Sequence, residues 1–313
     1  MAILITGGTG CVGSYVLRGA LERGEDVVAV LRHPDRLPAD IRDHPRLRVV
    51  QADIREVERI APAMEGVRAA ILVSTAWGGP DTMEITCDAN LALADRLAAA
   101  GCTRLFYFSS ASVLERDGTL SRAARDLGSD YIRAKHALVE RMEARAFAGM
   151  QVTGVFPTLV MGGTAEGPPL SHVARMVPQV LPYLWLVRLL RIEGRMHLIH
   201  AADIATVVLH HAAADGPPAP ARLILGNPPS DVEDLIAAVC RHQGRRRRGI
   251  LPVAPIAEML IRAFRIRLSP WDRHCMDHPD QSYPDARNPA FYGLPVAMPS
   301  LESGLDGIGI PRR

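Results

Sequence analysis

The chain has 313 residues, 48% apolar and 22% charged, and its 36 basic and 34 acidic side chains leave a formal charge of +2. This composition excludes disordered, collagen-like and disulfide-built proteins, and the charge balance argues against an obligate nucleic-acid binder. The length suits one large α/β unit with a smaller dependent lobe.

Along the first half, apolar runs at 2–6, 26–31, 47–51, 69–74, 104–108 and 151–156 read as strands. Helical patterns lie between them at 12–23, 57–64, 83–100 and 129–148. The strand runs are apolar on successive residues, as strands buried on both faces of a parallel sheet are. After Pro157 come a Gly/Pro-rich loop at 162–169, a helix at 201–214, a strand at 222–225 and a helix at 231–241. The alternation predicts an α/β fold, a doubly wound parallel sheet of the Rossmann type with a smaller C-terminal substrate-binding lobe. Residues 1–157 form the dinucleotide-binding domain. Residues 158–313 belong mainly to the lobe, with 196–226 returning to the first domain.

Directly after the first strand runs Thr6-Gly7-Gly8-Thr9-Gly10-Cys11-Val12-Gly13. Gly7, Gly10 and Gly13 have the spacing of a phosphate-binding turn, with Cys11 and Val12 inside it. Glycine serves there for a tight turn, close approach to a pyrophosphate and close helix–strand contact. The second strand ends in Leu31-Arg32, with no carboxylate for a ribose diol. Arg32 suits a 2′-phosphate, so NADP(H) is the expected cofactor and NAD(H) the alternative. After the third strand, Asp53 and Ile54 fall where adenine would lie. Asp53 either accepts from the adenine amino group or caps the following segment.

Tyr131 and Lys135 stand four residues apart on a predicted helix, one turn apart on one face. Lys135 is the only lysine beside 35 arginines. A phenol is a poor acid or base near neutrality, and a neighbouring ammonium lowers its pKa. The hydroxyls of Ser109, Ser110 and Ser112 follow the fifth strand, at the carboxyl edge of the sheet.

The stretches TGGTGCVG, FSSAS, YIRAK and VFPTLVMGG together resemble the extended short-chain dehydrogenase/reductase family, closest to its dihydroflavonol-reductase-like branch, over residues 1–226. The resemblance implies that Ser110 is the hydroxyl partner and Tyr131 the proton-transfer residue. It implies that Lys135 binds the nicotinamide ribose and tunes Tyr131, and that Asn90, in CDANLALADRL, supports the site. Ser74 and Thr75 would lie along the dinucleotide, and Pro157 and Thr158 would border the nicotinamide. The arginine common before that proline is Phe156 here, and no arginine pair for a nucleotide diphosphate stands out. The expected activity is NADP(H)-dependent reduction of a carbonyl, or oxidation of an alcohol, in an apolar small molecule. The rivals are a sugar-nucleotide epimerase or dehydratase with a retained cofactor, and a catalytically silent NADP(H)-sensing regulatory protein. The family further implies a homodimer through the helices at 83–100 and 129–148, which present Leu91, Leu97, Leu138 and Met142 at helical spacing.

Other features read as bland. Cys11, Cys87, Cys102, Cys240 and Cys275 have no framework spacing, which fits a reducing, cytoplasmic setting. The opening MAILITGG reads as a strand and not as a leader. The apolar stretch 177–190 is cut by Pro178, Pro182 and Arg188. His274, Cys275 and His278 lack a second ligand cluster, so no metal is expected. Arg245–Arg248 reads as a solvated turn ahead of a site for a phosphate or an anionic membrane. The segment 250–268 mixes Ile256, Met259, Leu260, Ile261 and Phe264 with Arg262, Arg265 and Arg267. It reads as a packed helix with a basic outer face, ahead of an apolar lid over a lipophilic substrate and, last, a contact with a membrane surface. No nucleic-acid contact is expected, and a membrane contact is the least favoured reading.

Overall fold

A computed structural model describes residues 1–164, 167–253 and 268–313. Seven strands form the central sheet: β1 (Ala2–Thr6), β2 (Val27–Leu31), β3 (Leu47–Gln51), β4 (Val67–Leu72), β5 (Arg104–Phe108), β6 (Gln151–Pro157) and β7 (Arg222–Leu225). They pair in the order β7-β6-β5-β4-β1-β2-β3, each pair parallel. The order reverses between β1 and β4, and the crevice above their carboxyl ends is the ligand position of such sheets.

Among the described residues the longer helices are α1 (Cys11–Glu22), α2 (Ala89–Ala99), α3 (Asp130–Glu143), α4 (His172–Val180), α5 (Ala201–Ala212), α6 (Val232–His242), α7 (Pro270–Asp277) and α8 (Leu301–Gly307). Alternation along β1 shows how the sheet divides its core. Ile3 and Ile5 pack with Leu17, Val207 and Val208 of α1 and α5. Leu4, between them, packs with Leu93, Leu97 and Leu138 of α2 and α3 on the other face.

Three helix expectations change. The pattern at 57–64 is a short helix, Val57–Ile60, followed by a 3-10 turn at Ala61–Ala63. Pro62 supplies no N–H to continue the helix. The pattern at 83–100 contains a π-turn, Glu84–Asp88, before α2. α3 stops at Glu143, short of 148. The side chains expected to face a second copy are already covered: Leu91, Leu97, Leu138 and Met142 are 4%, 0%, 1% and 2% exposed. Their helical spacing reflects burial in this chain's own core. The outer edges of these helices carry ion pairs instead, Arg141 with Asp88 at 2.6 Å and Arg145 with Asp95 at 3.4 Å.

The lobe is built from short pieces. Leu159–Met161 pairs with Leu198–His200, Arg195–Met196 pairs with both Ser230–Asp231 and Asp280–Gln281, and Leu190–Arg191 pairs with Leu251–Pro252. Met161, Ala174, Met298, Leu305, Ile308 and Ile310 make its core. Asp203, buried at the start of α5, accepts the backbone N–H groups of Ala297 at 2.6 Å and Met298 at 3.2 Å, tying the lobe to the sheet. The residues named for a lid, Ile256, Met259, Leu260, Ile261, Arg262, Phe264, Arg265 and Arg267, lie outside the described residues. Among the described residues, no helix is long and apolar enough to cross a membrane.

Candidate active site

The glycine turn is shaped by contacts that no side chain would survive. Gly7 has φ +72°, and a Cβ on it would sit 2.9 Å from the Ser74 nitrogen. A Cβ on Gly13 would sit 2.0 Å from the Gly7 carbonyl oxygen. The turn therefore lies flat against β4 while α1 starts beneath it. Gly10 is the N-cap of α1, with no side-chain cap and no acidic residue in the first turn. The first N–H groups of α1 are thus left to an anion, as a pyrophosphate requires.

A cleft of about 520 Å³ opens over this turn. Gly7, Gly10, Cys11, Val12 and Gly13 line one wall, and Arg32, Asp53, Ile54, Ser74 and Thr75 line it further on. These are the residues the sequence assigns to the dinucleotide, apart from Tyr131, Lys135, Pro157 and Thr158. The cradle fits a dinucleotide: Gly7, Gly10 and Gly13 keep the turn tight where a Cβ on Gly7 or Gly13 would clash, and its helix terminus is uncapped. Burial pushes the Cys11 thiol up to about 12, so it lines the turn as a neutral group.

At the adenosine end, Arg55 holds Asp53 by two contacts, Nε to Oδ1 at 3.0 Å and Nη2 to Oδ2 at 3.1 Å. Those bonds, set against some burial, depress the Asp53 pKa. Asp53 Oδ1 also accepts the Arg55 backbone N–H at 3.0 Å, closing a local turn. It does not cap the next helix, whose N-cap is Glu56. Arg32 keeps only a 3.9 Å contact with Asp53, and its side chain is 62% exposed. Its guanidinium is available to a phosphate.

At the other end, Ser109 and Ser110 separate in role. Ser109 Oγ is buried and donates to the Lys135 carbonyl at 3.2 Å, fastening β5 to α3. Ser110 is half-buried, and its Oγ accepts the Ser112 N–H at 3.3 Å. Lys135 is 2% exposed, and its Nζ donates to the Phe108 carbonyl at 2.6 Å, lying 5.8 Å from the centre of the Tyr131 ring. The expected lowering of the tyrosine does not occur. Burial pushes Tyr131 up to about 12 and Lys135 down to about 7, because desolvation disfavours the charge on each. Tyr131 is therefore held as a protonated phenol.

The remaining expected residues support the site from behind. Asn90, 1% exposed, donates from Nδ2 to the carbonyls of Ile85 and Thr86, each at 3.1 Å, and of Ser74 at 3.4 Å. It thereby secures the wide π-turn and the end of β4 together. Pro157 closes β6, and the Thr158 N–H and Oγ1 both donate to the Leu225 carbonyl at 3.0 Å. Asn90, Ser110, Tyr131, Lys135, Pro157 and Thr158 are not on the cleft wall itself.

Trp77, which the sequence reading passed over, joins the two parts. It lines the cleft, and its indole stacks on the Tyr131 ring at 4.6 Å and 5°. It also lies parallel to the His172 ring, 5.6 Å away at 13°. His172 and Arg175 of α4, and Arg36 beyond β2, line the cleft as well. In a chain with 35 arginines, no sequence signal marks Arg36 or Arg175.

A second cavity, of about 670 Å³, is lined by Arg116, Arg195, Arg287, His197 and Tyr283 among others. The sequence suggested no arginine pair because these three come from distant segments. The Tyr283 hydroxyl donates to the Ala111 carbonyl at 2.8 Å, which sets this cavity beside the Ser110 turn.

The family model described as NAD(P)H-binding matches residues 7–169. A 3-beta-hydroxysteroid dehydrogenase of Mycolicibacterium neoaurum is 31% identical over 123 residues, 36% of this chain and 32% of that protein. A 2-alkyl-3-oxoalkanoate reductase of Stenotrophomonas maltophilia (strain K279a) is 28% identical over 185 residues, 52% of each chain. The chain thus spans about half or less of the length of these relatives. Among solved structures, the Bordetella bronchiseptica enzyme WbmG in complex with NAD superposes with a TM-score of 0.68 at 14% identity, covering 99% of this chain and 96% of that one. At that identity the likeness is one of fold.

Proposed function

The chain belongs to the NAD(P)H-binding family in its extended short-chain dehydrogenase/reductase form, and on that premise we propose that it is an NADP(H)-dependent carbonyl reductase acting on an apolar small molecule. The observation that carries the reading is the stack of Trp77 on Tyr131, an apolar wall over the proton donor at the mouth of the dinucleotide cleft. Two relatives are named for chemistry at a hydroxyl or oxo group of a steroid or an alkyl-oxoalkanoate. Arg32, left free while Arg55 occupies Asp53, favours the 2′-phosphate.

When bound, the dinucleotide supplies the hydride. Tyr131 gives its phenolic proton to the carbonyl oxygen. Burial keeps that phenol protonated near neutrality but makes it a weaker acid, so the Lys135 ammonium is needed to ease the transfer. Ser110 holds that oxygen by a hydrogen bond, and Lys135, whose Nζ donates to the Phe108 carbonyl, would hold the nicotinamide ribose of a bound dinucleotide. Trp77 lies against the apolar body of the substrate and keeps water away.

Tyr131→Phe keeps the ring under Trp77 and removes the proton. Turnover of NADPH with a panel of apolar ketones is expected to fall by at least about a hundredfold, with NADPH affinity unchanged. Near-normal turnover removes Tyr131 from this role. A second reading is favoured by the cavity with Arg116, Arg195 and Arg287, whose guanidiniums suit a nucleotide diphosphate. A sugar-nucleotide epimerase or dehydratase re-reduces its own intermediate. Conversion of such a substrate with no net change in NADPH absorbance selects that reading over the first.

A further inference from the structure

Outside the cleft, among the described residues, one surface of the lobe presents large exposed apolar side chains. After α4 come a 3-10 turn, Leu181–Tyr183, and a short helix, Leu184–Val187. Leu184 alone of these is buried and anchors the stretch. Met176, Val180, Tyr183, Trp185 and Leu186 are exposed, Tyr183 by 62% and Trp185 by 61%. The strand Leu251–Pro252, beside Leu190–Arg191, brings in exposed Ile250 and Leu251.

Arg247 fastens this arrangement from within. It donates to the carbonyls of Val187 at 3.1 Å and Arg188 at 2.6 Å, and pairs with Glu233 at 2.6 Å. Its neighbours do the opposite. Arg245, Arg246 and Arg248, with Arg191, are exposed and have no acidic partner among the described residues. Arg245 and Trp185 share the wall of a groove of about 430 Å³. The run expected to be a mere solvated turn thus forms the cationic rim of an aromatic and aliphatic patch.

We propose that this patch seats the protein on an anionic lipid bilayer. Tryptophan and tyrosine favour the headgroup level, where one end of the ring is wet and the other apolar. Aliphatic side chains beside them enter the acyl boundary, and unpaired arginines meet the negative surface of the leaflet. A second copy of the chain is a poor occupant, because a self-complementary contact brings two sets of unpaired arginines together. α4 joins the patch to the cleft: it begins with His172 and Arg175 on the cleft wall and ends at exposed Val180, a span of about 13 Å. The contact stands on the patch alone and does not depend on the reaction assigned to the cleft.

The test is cosedimentation of the 313-residue chain with vesicles of phosphatidylcholine alone and of equal parts phosphatidylcholine and phosphatidylglycerol. Binding is expected to the mixed vesicles at low salt, with a blue shift of indole emission, and to be lost as salt screens the rim. The double variant Trp185→Ser, Leu186→Ser and the triple variant Arg245→Gln, Arg246→Gln, Arg248→Gln are each expected to bind at least about tenfold more weakly. NADPH binding by each variant reports that it is folded. Absence of binding by the wild-type protein overturns the proposal, as does binding that both variants retain. Equal binding to polyglutamate reassigns the patch to an acidic protein. A wild-type dimer that the double variant converts to monomer reassigns it to a second copy.

Discussion

Lys135 shows at one residue what burial does to a candidate catalytic group. Its Nζ is satisfied by one carbonyl and has no carboxylate beside it, so burial moves it from 10.5 to about 7. The unfolded chain keeps the ordinary value. Between the two values the unfolded chain holds a proton that the folded chain lacks, so stability rises with pH across that window. Above the ordinary thiol value of 9.0 the buried cysteines act the other way, since their pKa values are raised and the folded chain retains protons there. All five cysteines are raised from 9.0, so their opposing effect is already large at pH 9. The window from about pH 7 to about pH 8 isolates the lysine, with a gain on the order of 1 kcal/mol. Urea unfolding of the dinucleotide-free protein is expected to show that rise, and Lys135→Met to flatten it. A flat wild-type profile means that the ammonium is not desolvated. Arg32 offers the second test at this scale. Its charge-assisted bond to a 2′-phosphate contributes about 1.5–3 kcal/mol. Arg32→Ala is expected to weaken NADPH about ten- to hundredfold in a fluorescence titration while leaving NADH nearly unchanged. Equal wild-type affinity for both dinucleotides makes Arg32 a solvated surface arginine.

At the scale of elements, what was legible in the sequence divides by the range of the forces involved. The sheet strands were legible because burial on both faces leaves an unbroken apolar run, and Arg222–Leu225 was found on the same ground. The glycine turn was legible because its constraint is local: Gly13 meets Gly7 within one turn of chain. The π-turn at Glu84–Asp88 was not. It depends on Asn90 reaching back to Ile85, Thr86 and Ser74, and a helical repeat does not encode that. Helical spacing of Leu91, Leu97, Leu138 and Met142 also misled, since the same stripe serves a core or a partner. Trp77 was missed because it precedes Gly78 and Gly79, both at positive φ, in a stretch that reads only as a turn. Its position over Tyr131 arises when β4 and α3 are brought together by the sheet. The arginines of the second cavity were hidden for the same reason, coming from three distant segments.

At the scale of the whole molecule, the cleft has two sides. The sheet supplies the glycine turn and the Arg32 region, while α4 of the lobe supplies His172 and Arg175. Several polar contacts join these halves, among them Tyr283 to Ala111 and Gly163 to Tyr15. Asp203 is the buried carboxylate among those named: it receives the N–H groups of Ala297 and Met298, and Met298 packs in the lobe core against Leu305. Burial raises the pKa of this carboxyl, and the two N–H bonds oppose that rise. Asp203→Ala leaves the Met298 N–H buried without an acceptor, at a cost of about 1–3 kcal/mol, while the N–H of exposed Ala297 turns to water. The loss is expected to be local before it is global, because the sheet core does not depend on the bond. Hydrogen exchange at Ala297 and Met298 should speed up, and exchange in β1 and β4 should change little. NADPH affinity should fall as His172 and Arg175 lose their fixed placement. Asp203→Asn retains one acceptor oxygen and should fall between the two. If Asp203→Ala leaves exchange at Ala297 and Met298 unchanged, the apolar core around Met298 holds them without the carboxylate. The cleft then owes its shape to that packing and not to the buried carboxylate.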